Sequence, residues 1–495
     1  MQTAMAGVNL YSEYICGMLA SIVIARSLTT TEYGLYSSII FLASMFTLSI
    51  NAGMNINVTK FVAELSHQAP HFLSSFTYLI NRLFALRLLI ATCLVVGVIA
   101  VNFDFGVPAL VIAGVLVGAT FKARYTLDNA VLKGLRRFDT VAKVSLIVNP
   151  TNVLAVVACA IWLPTLNYFL AVYAATCLLF WLVIKSVGND LPKATHSIEF
   201  DQQYRQRFIE QMISATFVVI FAGFTFRQSQ VLVLKGYDFV EAAGFFNIAF
   251  ILANAALTLV PGIYSEILLP KMAIARHTKT AKTEVLQAQR YLTLLACLVV
   301  FPLIVYAEQL VALLYGSRYL AVVEPLRWMV LFKFLGLLKE GANLTLISHD
   351  KQQVLAKINL LIFALMCVLS VVFVSQYGLM AGVWVYGILS IIQLLAYQHW
   401  ARPYGYVMLP WPALLRIIVP ALIMFVPLLL LEMQFSRWWM MILGSLIFVA
   451  GYLHLLIWFG AFDQTGQRFI ISLQRKAPFA LRAYLGWLTK GLTAK

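Results

Sequence analysis

Charge is what this sequence lacks. Only 11% of its 495 residues are charged, against about 25% in soluble domains. Acidic residues are the scarcest: 20 Asp and Glu face 36 Lys and Arg. The 7 histidines do not cluster as ligands. The cysteines, Cys16, Cys93, Cys159, Cys177, Cys297 and Cys367, each fall inside an apolar run, with no CxxC pair. They read as small buried hydrophobes and not as disulfides or metal ligands. No GxxxxGK[ST] or HExxH occurs, so no P-loop or zinc-helix chemistry is expected. The first 25 residues have no basic n-region or cleavage signature, and no removable signal peptide is expected. Together these absences exclude a soluble enzyme, a secreted disulfide scaffold and a disordered chain.

What is there is apolar. Hydrophobic residues make up 62% of the chain, and the mean hydropathy is +0.86. At about 20–22 residues per crossing, that leaves room for about fourteen membrane spans. The apolar residues come in long runs without alternation, which argues against a β-barrel. The expected fold is an all-α polytopic membrane protein. Its spans are expected at 4–25, 33–56, 78–101, 107–127, 140–163, 166–187, 209–234, 243–268, 288–314, 322–347, 354–375, 378–400, 411–432 and 437–460. The cuts fall at turn chemistry such as Gly236 to Asp238 and Gly316 to Arg318.

Lys and Arg set the orientation. Loops after odd-numbered spans carry only Arg26, Lys235, Arg318 and Arg437. Loops after even-numbered spans are far richer, with Lys60, then Lys122, Arg124, Lys133, Arg136, Arg137 and Lys143, and later Lys193, Arg205 and Arg207. By the positive-inside rule both termini are expected in the cytoplasm. The net charge of +16 thus reads as basic cytoplasmic loops, with no nucleic acid as partner. The tail 461–495 mixes apolar and basic residues and is expected to be an amphipathic helix on the inner leaflet. Segments 60–76 and 128–139 are expected to lie on the surface in the same way. Outer loops are too short to house a catalytic domain.

The sequence also repeats, at an offset near 212 residues. TEYGLYSSIIFLA (31–43) parallels VEAAGFFNIAFILA (240–253), which aligns Gly34 with Gly244. Lys60 aligns with Lys271, VAKVSLIV (141–148) with LAKINLLI (355–362), and Tyr173 with Tyr386. Six spans per repeat is an even number, so both repeats share one orientation and a pseudo-two-fold axis lies along the membrane normal. The expected organisation is a six-helix lobe (1–187), a cytoplasmic linker (188–208), a second six-helix lobe (209–400), two further helices (411–460) and the tail. Paired lobes of this kind suit a transporter that alternates between inward- and outward-open states.

The stretch IARSLTTTEYGLYSSIIFLASMFTLSINAGMNINVTKFVAEL (24–65) resembles the opening of bacterial polysaccharide flippases of the O-antigen type. These belong to the multidrug/oligosaccharidyl-lipid/polysaccharide exporter superfamily. LLYGSRYLAVVEPLRWMVL (313–331) and VLKGLRRFDTVAKV (131–144) resemble the same family. The resemblance implies a V-shaped pair of lobes in the bacterial inner membrane. It implies transfer of an undecaprenyl-pyrophosphate-linked oligosaccharide from the cytoplasmic to the periplasmic leaflet. It also implies that the helices at 411–432 and 437–460 form a groove for the lipid tail, and that other polysaccharide-assembly membrane proteins are partners. No cofactor is expected; energy would come from an H+ or Na+ gradient or from the substrate gradient.

Ionisable groups inside hydrocarbon cost several kcal/mol and usually face a wet cavity or a partner. The candidates are Glu13, Arg82, Arg87, Arg227, Lys333, Lys339 and Glu340. Arg87 and Lys333 fall near mid-depth, about 13 and 16 Å from the nearer counted end of their spans, and Arg227 about 10 Å from its outer end. Arg82 is close enough to a span end to snorkel. Lys339 and Glu340 point about 100° apart on a helix. A pyrophosphate needs Arg or Lys to cross a low-dielectric region, so Arg87, Arg227 and Lys333 are expected to line a cationic cavity. Glu13 would balance one of these charges or take a proton; the alternative is a permanent pair that orients helices. Polar residues near the same spans, Asn9, Tyr11, Tyr14, Gln228 and Gln230, could bind sugar hydroxyls or simply pack. A cation-coupled drug exporter would favour acidic residues here, and a glycan polymerase or ligase would need a large outer loop. Prolines 261, 302, 420 and 427 are candidate kinks.

Overall fold

A computed structural model describes residues 2–100, 106–188, 202–227, 229–274, 279–349, 351–404, 411–434 and 438–461. Among these the chain is helical throughout, with no strand. The expected tail helix at 461–495 and the linker at 188–208 fall largely outside the described residues. Two compact units are present: residues 1–255 with 350–393, and residues 256–349 with 394–495.

The first unit contains α1 (Gln2–Ser27), α2 (Thr30–Asn51), α3 (Met54–Gln68), α4 (Leu73–Ala100), α5 (Ala109–Gly134), α6 (Phe138–Trp162), α7 (Leu166–Val187), α8 (Gln202–Phe226) and α9 (Gln230–Gly236). It also holds the start of α10 (Val240–Ile274), all of α15 (Gln352–Leu369) and most of α16 (Ser375–Ala401). The second unit contains α11 (Lys279–Val305), α12 (Ala307–Leu314), α13 (Val323–Leu337), α14 (Glu340–Ser348), α17 (Trp411–Gln434) and α18 (Trp438–Trp458). Every expected span overlaps one of these helices. Among the described residues, ten stretches are long and apolar enough to cross a membrane, or eleven if the bent pair α11–α12 counts as one crossing. The count of fourteen is therefore not established, but the chain is a multi-pass membrane protein.

The outward faces fit that reading. On α4, Leu86, Leu89, Ile90 and Leu94 are each more than half exposed. In water such a stripe would be an association site; next to lipid it matches its solvent. Interior packing is aromatic where three helices meet: Phe61 of α3 and Phe76 of α4 both make edge-to-face contacts with Phe208 of α8, with ring centres 5.1 and 4.9 Å apart. In the second unit Phe301 of α11 packs against Phe425 of α17 and Phe448 of α18.

Local sequence explains the start of α2. Thr29 caps it: the Thr29 hydroxyl accepts from Glu32 N–H and the Glu32 carboxylate accepts from Thr29 N–H, a reciprocal capping box. The break between α2 and α3 sits at Gly53, whose φ of +68° needs glycine. Segment 60–76 is not a helix on the surface: the end of α3 buries Phe61, Val62 and Leu65, and the start of α4 buries Phe76. Likewise α5 runs on to Gly134 and buries Leu132, so residues 128–134 belong to the core. Pro302 precedes a 76° bend between α11 and α12, whereas α17 continues through Pro420 and Pro427.

The repeat has a physical counterpart. Gly34 of α2 and Gly244 of α10 meet, so that a Cβ at Gly244 would lie 3.1 Å from Gly34 Cα. One turn earlier, Thr30 and Thr31 hydroxyls donate to Glu241, each at 2.8 Å. One turn later, Asn247 Nδ2 donates to Ser37 Oγ at 2.9 Å. Thr31 and Glu241, and likewise Ser37 and Asn247, are 210 positions apart. Equivalent residues meeting on one face is what an axis between two parallel repeats requires.

Candidate functional site

Arg227 follows the last residue of α8, where the chain breaks before α9. Its side chain is exposed, and it lies within electrostatic range of Glu13 and Tyr14 on α1. Tyr14 is hydrogen-bonded to Asn254 of α10. The Glu13 carboxylate lies 3.9 Å from Lys122 Nζ of α5, with 60% of its side chain exposed. That ammonium sits 3.9 Å from the centre of the Phe180 ring and 5.3 Å from that of Tyr125. An aromatic face holds a cation by its quadrupole and leaves the charge available to an anion. The cluster thus sets two cations against one exposed carboxylate, a local excess of positive charge with hydroxyl and amide groups beside it.

Lys122 does not occupy the cytoplasmic loop expected for it. It lies in mid-helix, about 20 Å from the start of α5. The absence of any Gly or Pro between Thr120 and Gly134 is the signal that α5 continues past 127. Arg124 is also inside α5. It pairs with Asp128 at 3.0 Å and donates to Asn81 at 2.6 Å, while Lys185 approaches Asp128 at 3.2 Å. Asp128 is almost fully buried, so this network holds α4, α5 and α7 together.

Arg87 is placed differently. Its guanidinium donates to Ala52 O at 2.6 Å, to Ile50 O at 3.4 Å and to Thr216 Oγ1 at 2.9 Å. These are carbonyls at the end of α2 and a hydroxyl on α8. Arg82, five residues earlier on α4, is exposed. Gln230 is buried and hydrogen-bonded to Ser370 at 3.1 Å, a packing role. Gln228 and the side chains of Asn9 and Tyr11 lie outside the described residues.

Lys333, Lys339 and Glu340 belong to the second unit. Lys339 lies in the break between α13 and α14, within electrostatic range of both Lys333 and Glu340. The Lys339 ammonium is 5.8 Å from the centre of the Tyr397 ring. Glu340 accepts from Asn343 at 3.2 Å. The break itself is closed by a residue that depth and charge do not single out: buried Gln289 donates to Leu337 O at 3.3 Å and accepts from Gly341 N–H at 3.1 Å. Arg327 does the same for the α11–α12 bend, donating to Ile304 O at 3.0 Å. Among the described residues no group of three His, Cys, Asp or Glu side chains could hold a metal ion.

A family model described as polysaccharide biosynthesis protein matches residues 23–324. The chain belongs to this polysaccharide biosynthesis family. The match takes in Lys122 and Arg227, and the stretch 24–65 that carries the flippase resemblance. No curated protein sequence matches the chain. Among solved structures it is similar to the lipid II flippase MurJ in an inward closed conformation, with a TM-score of 0.71 and 14% identity over 91% of this chain and 97% of that one. An inward-facing multidrug resistance MATE family transporter of the MOP superfamily matches with a TM-score of 0.63 and 12% identity, over 80% of this chain and 97% of the other. A MOP superfamily transporter from Pyrococcus furiosus matches with a TM-score of 0.61 and 10% identity, over 81% and 94%. At these identities the likeness is one of fold. The polysaccharide biosynthesis family member thus has the MurJ- and MATE-like fold.

Proposed function

We propose that this protein is a flippase that moves a polyprenyl-pyrophosphate-linked oligosaccharide across the bacterial inner membrane, with both termini in the cytoplasm. The observation that carries the reading is the Arg227–Lys122–Glu13 cluster inside a membrane-spanning fold of a polysaccharide biosynthesis family. Two cations against one carboxylate leave net positive charge, which suits a pyrophosphate and repels a cationic drug. Glu13 keeps the cluster from being a permanent anion trap, because it competes with the substrate for both cations. Tyr14 and Asn254 offer donors and acceptors for sugar hydroxyls. Paired repeats suit a transporter whose lobes alternate between inward- and outward-open states.

Replacing Arg227 tests this. In cells that depend on the protein for a surface glycan, Arg227→Ala should abolish the glycan and leave lipid-linked intermediate on the cytoplasmic side, at unchanged protein level. Arg227→Lys keeps the charge but loses the bidentate fork, and should retain partial function. Normal surface glycan in Arg227→Ala would remove the cluster from the substrate path. A small-molecule exporter would instead show drug sensitivity in that variant and an intact glycan.

A further inference from the structure

Arg87 sits near the middle of a membrane-spanning helix, where a free charge would be costly. Three of its five N–H donors are held by protein. Two of its hydrogen bonds go to Ala52 O and Ile50 O, carbonyls that lose their helical partners where α2 breaks. The third goes to Thr216 of α8, whose own hydroxyl lies 2.8 Å from Ala52 O and 2.7 Å from Met212 O. One guanidinium therefore ties α4, the α2–α3 break and α8 at a single point.

That point lies within a long seam. Along it the partners step in opposite directions, as antiparallel helices do. Leu48 packs on Gly223, and Gly53 lies directly against the backbone of Met212 to Thr216. Further along, Asn57 and Lys60 both reach Gln211, at 3.4 and 3.2 Å, and Glu64 binds Arg207 in a two-pronged ion pair at 2.7 and 3.0 Å. A Cβ at Gly53 would come within 2.8 Å of Met212 O, so α3 touches α8 backbone to backbone. The far end of the seam is polar and exposed, and exposed pairs hold weakly. Thr216 stands eleven residues before Arg227, about 16 Å along α8.

We propose that Arg87 is a positioning residue: it clamps the α2–α3 break to α8, holds the α3–α8 seam shut and so sets the place of Arg227. While the seam is closed its part is to hold the break and not to take substrate, because three of its five N–H donors, both on Nη1 included, are held by protein. The clamp concerns packing and stands apart from the glycan reading; only its link to transport rests on that reading.

Cross-linking without substrate tests the clamp. In the full chain with its native cysteines replaced, Lys60→Cys with Gln211→Cys reports the seam. Thr31→Cys with Glu241→Cys reports the separate α2–α10 contact. A short thiol cross-linker should join both pairs when Arg87 and Thr216 are native. Arg87→Gln and Thr216→Val should each lower linking at 60/211 about tenfold, the scale of one lost charge-assisted hydrogen bond. Linking at 31/241 should be unchanged, and Thr216→Ser, which keeps the hydroxyl, should behave as native. Unchanged 60/211 linking in both variants would overturn the clamp. Joint loss of both pairs in both variants would also overturn it, by making Arg87 a general stability residue. Neither outcome depends on a surface-glycan defect, so failure of the clamp and failure of the glycan reading are distinguishable.

Discussion

Gly34 and Gly244 are equivalent in the repeat and touch each other, yet they should not tolerate substitution equally. A Cβ at Gly34 would overlap the Val240 carbonyl and sit 2.8 Å from its carbon and 3.2 Å from its Cγ1. A Cβ at Gly244 meets its nearest neighbours, Gly34 Cα and N, at 3.1 Å. The first clash is with backbone at the start of α10 and cannot be relieved by rotating a side chain. The second asks for a shift of a few tenths of an ångström. Overpacking of the first kind costs about 1–3 kcal/mol, and moving α10 would also strain the bonds to Glu241 and Asn247. Gly→Ala in a helix returns up to about 1 kcal/mol of propensity. Gly34→Ala should therefore be destabilised by up to about 2 kcal/mol net, while Gly244→Ala stays within about 1 kcal/mol of native and always above Gly34→Ala in stability. The readout is the apparent unfolding temperature of purified protein in detergent, with linking of 31/241 cysteines as a local check. Equal damage from the two substitutions, or greater damage at Gly244, would refute this packing argument.

Two other substitutions probe polar groups inside the bundle. Gln289→Leu leaves Leu337 O and Gly341 N–H without their partner at the α13–α14 break, and should destabilise the protein by about 1–3 kcal/mol; an unchanged unfolding temperature would show that the break satisfies itself. Asp128→Ala strands Arg124 and Lys185. Removing one member of a buried pair costs about 3–5 kcal/mol, and the 40% exposure of the Lys185 side chain places the expected loss at the lower end. Protein yield and melting report it, and native behaviour would mean that water serves both cations.

Hydropathy and turn chemistry read the helices well where breaks are marked by Pro or Gly. The span at 166–187 coincides with α7, bounded by Thr165 and Gly188. They do not register breaks of two or three residues inside an apolar run. Thus 322–347 proves to be α13 and α14, and 209–234 proves to be α8 and α9. The α13–α14 break is met by a distant side chain, Gln289, and the α2–α3 break by another, Arg87. The same limit governs the charged residues. Depth along a span marks Arg87, Arg227 and Glu13 as unusual, but it does not say which guanidinium faces protein. Arg87 is spent on Ala52 and Thr216, whereas Arg227 is exposed beside Glu13. Lys122 escapes a depth argument for a different reason: a span that ends by 127 puts a mid-helix cation at its cytoplasmic edge.

The central claim is tested most directly by leaflet transfer in proteoliposomes. Purified protein would be reconstituted with a fluorescent polyprenyl-pyrophosphate-linked oligosaccharide, and the outer-leaflet fraction followed with a membrane-impermeant quencher. The native chain should move the label between leaflets well above protein-free vesicles, Arg227→Ala should not, and Arg227→Lys should fall between. Transfer by the native chain no faster than in protein-free vesicles, or full transfer by Arg227→Ala, would contradict the account.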